Sequence, residues 1–204
     1  METSSQPYHH GNLRPTVVRA AIGTIEEVGP SAMSLREVAR RAGVTHTAVT
    51  YHFVDKAGLL TAIAVEGFQK LAEALRHTQE ASDSFLEVGV AYVRFALNNR
   101  AHFEVMYRPE LYRLNDPDLQ RAKASAALLL YGTEHADPKQ LAAGVAAWSI
   151  VHGFATLWLS GNLTEFLGTD PVTASSEVAR GLLAIANVTA RQLPDGPRTT
   201  RRNN

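Results

Sequence analysis

The residues best equipped for chemistry in this chain are the hydroxyls, imidazoles and phenol of Thr45, His46, Thr47, Thr50, Tyr51 and His52. Each can exchange hydrogen bonds, and none is the Glu or Lys that fills an ordinary solvated helix surface. At helical spacing Val49 and Phe53 fall on the opposite side, where Leu35, Val38, Ala39 and Val44 can pack with them. A short helix with an uncharged polar face and an apolar back can enter a DNA major groove, donating to phosphates and touching base edges. A three-helix packing unit that never meets DNA is the competing reading of the same segment.

A second set is aromatic: Tyr92, Phe95, Phe103, Met106, Tyr107, Tyr131, Trp148, His152, Phe154 and Trp158. Of these, Tyr92, Phe103, Met106, Tyr107, Trp148, His152 and Trp158 are the predicted lining of a pocket with a few polar tips, suited to a small apolar or aromatic effector. Core filling accounts for the same residues. His152 stands on so apolar a helix that it must find a partner, either an effector or a buried hydroxyl or carbonyl.

Catalytic constellations are missing. Ser149 and His152 lie one turn apart, but no acid is near in sequence and no nucleophile elbow surrounds the serine. His9, His10, His46, His52, His102, His135 and His152 show no zinc-site spacing, which leaves a metal ion only as an alternative effector. There is no cysteine and no phosphate-cradling glycine loop. The expectation is a non-enzyme without a cofactor, in a reducing cytoplasm.

The elements that must position these groups are helical almost throughout, with no sustained alternation of a half-buried strand. The first helix is predicted over about Leu13 to Val28, stopped by Gly29-Pro30. Ser34 to Glu37 forms a capping box ahead of a short helix, Leu35 to Arg41. Gly43 supplies the tight turn, Thr45 caps a third helix, and Asp55 caps a long connector whose stripe includes Leu60, Ile63, Phe68, Leu71 and Leu75. Further on, Asp116-Pro117, Asp137-Pro138 and Asp170-Pro171 each pair an N-cap side chain with a proline suited to the first helical turn. With Ser84 to Asn98 and a piece around His102 to Tyr107, the expectation is an all-α chain of about nine helices.

With 45% hydrophobic residues among 204, the chain can bury a real core. Its formal net charge is zero, and residues 1–60 hold six Lys and Arg against five Asp and Glu, so any basic surface is local. The N-terminus lacks an apolar run that could act as a signal peptide. Leu141 to Thr164 contains no Asp, Glu, Lys or Arg and is long enough to span a bilayer. His152, Ser149, Thr156, Gly144 and Gly153 within it favour a helix buried on all sides in a soluble bundle or dimer interface.

Residues 34–60 resemble the N-terminal domain of TetR-family transcriptional regulators, through Ala42-Gly43-Val44-Thr45, Phe53 and Lys56 ahead of Leu59-Leu60. The opening Tyr8-His9-His10-Gly11-Asn12-Leu13-Arg14 and the later Trp148 to Gly153 resemble a branch with a Trp-His-Gly signature in its C-terminal domain. The resemblance implies a flexible arm over 1–12, a helix-turn-helix DNA-binding domain with connector over 13–76, an effector and dimer domain over 77–193, and a disordered tail over 194–204. It implies that Thr45 caps the recognition helix near a phosphate, that His46, Thr47 and Tyr51 approach base edges, and that His52 and Lys56 anchor the backbone, with Ser34 and Arg36 contributing from the preceding helix. Thr50 stands where the family usually has a phosphate-binding tyrosine. The implied protein is a cytoplasmic homodimer on palindromic operator DNA, a repressor released by a small-molecule effector. The alternative is a soluble helical binding protein without specific DNA recognition.

Overall fold

Side chains that compete for backbone amides mark where most helices begin. Ser34 Oγ accepts from Glu37 N at 3.2 Å, Thr45 Oγ1 from Ala48 N at 3.1 Å, and Asp55 Oδ1 from Gly58 N at 2.8 Å. Asp116, Asp137 and Asp170 accept in the same way from the amides of Leu119, Lys139 and Val172. Each bond satisfies a donor that the first helical turn leaves orphaned. The computed structural model describes residues 13–82, 84–131, 137–167, 170–178 and 181.

Among these the chain is all helical: α1 (Leu13–Ala32), α2 (Leu35–Ala42), α3 (His46–Phe53), α4 (Lys56–Ala81), α5 (Phe85–Asn98), α6 (Arg100–Met106), α7 (Pro117–Tyr131), α8 (Pro138–Leu159) and α9 (Thr164–Leu167). A 3-10 turn, Pro109–Leu111, separates α6 from α7, and residues 171–178 are helical again. Gly29, at φ 77°, breaks α1 where the Gly-Pro pair predicts its end, and one further turn runs on to Ala32. Gly43 closes α2 at φ 66°, a left-handed conformation in which its amide reaches the carbonyls of Ala39 and Arg40.

One half of the expected capping box is not made. The Glu37 carboxylate turns to Arg40 and Arg41, and Arg41 in turn reaches Glu27 of α1, which ties α2 to α1. The two guanidiniums hold the Glu37 carboxyl down at about 2. A cationic fork at bonding distance outcompetes a single backbone amide for a carboxylate.

Helix α4 runs through the centre. Its Leu59, Leu60, Ile63, Ala64, Leu71 and Leu75 are almost wholly buried, in one core with Val17, Ala21 and Ile25 of α1, Val49 and Phe53 of α3, and Leu119 and Ala126 of α7. Two glycines permit close approach. A Cβ on Gly67 would lie 2.5 Å from Met106 Sδ of α6, and one on Gly144 would lie 2.8 Å from Tyr131 Cα at the end of α7.

Helix α8 is long and apolar enough to cross a membrane by length and composition. Among the described residues its burial is partial: Gly144, Phe154 and Ala155 are buried, while Val145, Ile150 and Leu157 are 38–46% exposed. In the helical segment that begins at Pro171, Val178 packs near Val93, Phe154 and Ala174. Leu182, Ile185, Ala186 and Thr189 lie outside the described residues, as do residues 1–12 and 194–204.

Candidate functional site

Helix α3 turns Val49 and Phe53 into the core at 0% and 3% exposure and leaves Tyr51 83% exposed. Thr45, His46, Thr47 and His52 share the exposed surface, and the Tyr51 and His52 rings meet edge to face with centroids 5.3 Å apart. Ser34 and Arg36 are exposed on the neighbouring α2. Thr50 behaves differently: it is half-buried, and its hydroxyl donates back to the carbonyls of His46 and Thr47 on its own helix. Lys56 donates its ammonium to the Ser31 carbonyl at 2.6 Å, tying the start of α4 to the end of α1, and burial lowers its pKa.

Sequence reasoning missed Arg14. Its guanidinium lies over the Phe53 ring, 5.1 Å from the centroid, so a cation from the start of α1 stands beside the last residue of α3. No local spacing links the two positions, so only the tertiary structure reveals the pair.

The junction from α3 to α4 is tight. Val54 has φ 69° and ψ −58°, and Asp55 N donates to Phe53 O at 2.8 Å across it, the geometry of the rare γ-turn. A β-branched residue is strained there. Asp55 also pairs with Arg113 at 3.0 Å, and the Arg113 amide donates to Thr61 Oγ1 at 3.0 Å. The segment after α6 is thereby bonded to the first turns of α4. Because Val54 is 65% exposed and loses little packing on truncation, Val54→Gly is expected to raise stability by about 1 kcal/mol. A chemical-denaturation midpoint at or below that of the wild type would show that the turn is unstrained.

A second assembly joins α5, α6, α7 and α8. Tyr92 Oη and His152 Nδ1 share a 2.8 Å hydrogen bond, so the partner that His152 requires is a tyrosine hydroxyl. Around the imidazole stand Tyr107, Phe103 and Trp148, with ring centroids 4.5, 5.2 and 5.5 Å away, and Tyr131 packs on Trp148 at 5.9 Å. Two predicted lining residues fall elsewhere: Met106 faces Gly67 of α4, and Trp158 stacks on Phe154 in a smaller core. Tyr107 Oη and Trp148 Nε1 are buried without a hydrogen-bond partner among the described residues. A separate open cleft of about 250 Å³ between α4 and α5, lined by His77, Ala91 and Arg94, shares no residue with the aromatic assembly.

Burial pushes the Tyr107 hydroxyl up to about 12 and raises Tyr92 as well, while it lowers His152. His102, buried between α6 and α4, is also lowered by burial, and nearby Lys70 acts in the same direction against Glu66 and Glu26. Both histidines therefore resist protonation when folded and accept it freely when unfolded, where the pKa is about 6.5. Their contribution is intact above that pH and is lost as pH falls below it. The melting temperature should decline between about pH 6.5 and 5, before the carboxylates titrate, and the decline should flatten in His102→Gln combined with His152→Gln. An unchanged slope in that double variant would show that the histidines do not carry the effect.

Residues 85–197 match the family described as tetracyclin repressor-like, C-terminal domain, and residues 17–63 match the bacterial regulatory proteins of the tetR family. The chain is 34% identical over 71 residues to the HTH-type transcriptional regulator BetI of Stenotrophomonas maltophilia, covering 34% of this chain and 36% of BetI. It is 39% identical over 72 residues to the tetracycline repressor protein class A from transposon 1721 of Escherichia coli, covering 35% and 32%. The chain thus spans about a third of the length of these curated relatives, which are regulators and not enzymes. A solved structure of a protein with unknown function from Rhodococcus sp. RHA1 superposes with a TM-score of 0.70 at 29% identity, covering 88% of this chain and 98% of that one.

Proposed function

The chain belongs to the tetR family of bacterial regulatory proteins, and from that premise we propose that it binds an operator sequence-specifically and represses transcription until a small molecule releases it. The observation that carries this reading is α3 itself, a capped eight-residue helix that buries Val49 and Phe53 and presents Thr47, Tyr51, His46 and His52 to the outside. Thr45, with Ser34 and Arg36 on α2, would meet phosphates, which position a helix without reading sequence. Thr50 contributes a shortened contact or yields that role to Tyr51, and Lys56 supports the phosphate-facing surface through its hold on α1.

The domain division follows the same logic: a DNA-binding unit and connector over 13–76, an effector and dimer unit over 77–193, and an arm and a tail at the two ends. The partly uncovered apolar face of α8 supports a homodimer through α8 and the last helix. A two-fold axis would set two recognition helices about 34 Å apart, in successive major grooves of a palindromic site. The aromatic assembly supports a small apolar or aromatic effector held by Tyr92, Phe103, Tyr107, Trp148 and His152, and Trp148, His152 and Gly153 place the chain in the Trp-His-Gly branch. Release requires the effector to bind the non-DNA conformation better. The bonds from Arg113 to Asp55 and Thr61 offer a mechanical route from α6 to α4. The site of action is the cytoplasm.

The decisive experiment is selection of bound duplexes from a random DNA pool at two salt concentrations. A recovered palindrome that persists at the higher salt establishes the regulator. Binding that vanishes with modest salt and shows no sequence preference would reduce the helix-turn-helix to a non-specific surface and favour a helical binding protein.

A further inference from the structure

We propose that Tyr107 Oη and Trp148 Nε1 form a donor pair that receives the carbonyl oxygen of an uncharged aromatic effector. The inference rests on the reading of the aromatic assembly as the effector site and narrows the class of molecule that it takes.

Both atoms are buried and lack a hydrogen-bond partner among the described residues. Buried polar atoms are normally satisfied, because leaving one bare costs about 1–3 kcal/mol. Two in one assembly, on rings whose centroids are 6.0 Å apart, therefore point to a shared missing partner. Trp148 Nε1 decides the polarity of that partner, since an indole can only donate. The partner must bring an acceptor, and a carbonyl oxygen has two lone pairs to offer both donors.

Charge narrows the class further. Among the described residues, burial lowers His152, and burial first, then the Tyr92 hydroxyl and the Trp148 indole, act on Tyr107. Among the described residues no cation stands by to meet a carboxylate, and a quaternary ammonium would face the positive ends of one N–H and one O–H with no described carboxylate behind them. The rings of Tyr107, Tyr131, Trp148 and His152 are each partly exposed, although the Tyr107 hydroxyl and the Trp148 N–H themselves are covered.

The test uses the full chain with [15N]tryptophan, whose two indole N–H signals are assigned with Trp148→Phe. Four probes are titrated: acetophenone, its near-isostere ethylbenzene, benzoate and benzyltrimethylammonium. Acetophenone should bind at least about fivefold to tenfold tighter than ethylbenzene, consistent with one or two hydrogen bonds, and should move the Trp148 N–H signal while leaving Trp158 in place. Tyr107→Phe keeps the ring and should remove most of that preference without changing ethylbenzene binding; its melting curve checks that the fold is intact. Equal binding of ethylbenzene, stronger binding of benzoate or of the ammonium, an unmoved Trp148 signal, or no binding by any probe overturns the proposal. Operator release is measured separately by adding acetophenone to the selected duplex complex. Binding through Trp148 without release sustains the donor pair and counts against the effector-released repressor, whereas release by ethylbenzene as well does the reverse.

Discussion

Tyr51→Ala lowers affinity for the selected operator by about tenfold to a hundredfold and leaves thermal unfolding essentially unchanged. The two halves of this expectation have separate physical sources. Tyr51 is 83% exposed and meets the neighbouring His52 ring edge to face, so its truncation removes almost no buried surface. Its phenol is the longest polar side chain on the outer face of α3, which gives it reach toward a base edge or a phosphate. Thr47→Ala, also exposed, should act in the same direction, and adjacent contacts of this kind need not add. Competition binding against a scrambled duplex separates the roles. Loss on operator alone marks base reading, and equal loss on both marks a phosphate contact. Operator affinity equal to wild type in both variants would remove α3 from the interface.

Phe53→Ala lowers stability by about 3–5 kcal/mol, the range for emptying a buried aromatic site. The ring is 3% exposed, lies in the core that joins α1, α3 and α4, and carries Arg14 on its face. Its loss leaves a cavity beneath α3 and removes the surface that holds Arg14. Phe53→Leu keeps most of the volume and should cost less than about 1.5 kcal/mol. Urea unfolding of both variants measures the difference. A Phe53→Ala midpoint within experimental error of wild type would mean that α3 is anchored elsewhere. Operator binding adds a second reading, because the Leu variant keeps the helix seated and should retain most of its affinity.

Much of the molecule was legible before any coordinates. Ser34, Thr45, Asp55 and the three Asp-Pro pairs mark helix starts because a short polar side chain bonds an amide two or three residues ahead, an interaction complete within one turn. The inward Val49 and Phe53 and the outward Tyr51 follow from helical periodicity alone. Gly43 at the bend follows from its freedom to adopt positive φ. The sequence by itself therefore determined the all-helical class, most of the helix starts among the described residues, and the face that the third helix turns outward.

The tertiary structure decided what depends on segments far apart in the chain. Glu37 gave up the helix cap for Arg40 and Arg41, Arg14 found Phe53, and Arg113 reached Asp55 and Thr61. It also divided the aromatic residues, gathering Tyr92, Phe103, Tyr107, Tyr131, Trp148 and His152 while sending Trp158 to Phe154 and Met106 to α4. Helix α8, apolar all round in sequence, is only partly covered among the described residues. The reason is one of range. Caps and periodicity act within a turn or two of one helix, whereas the partner of an aromatic ring or a guanidinium is set by how helices cross, and that is fixed by the packing of the whole core.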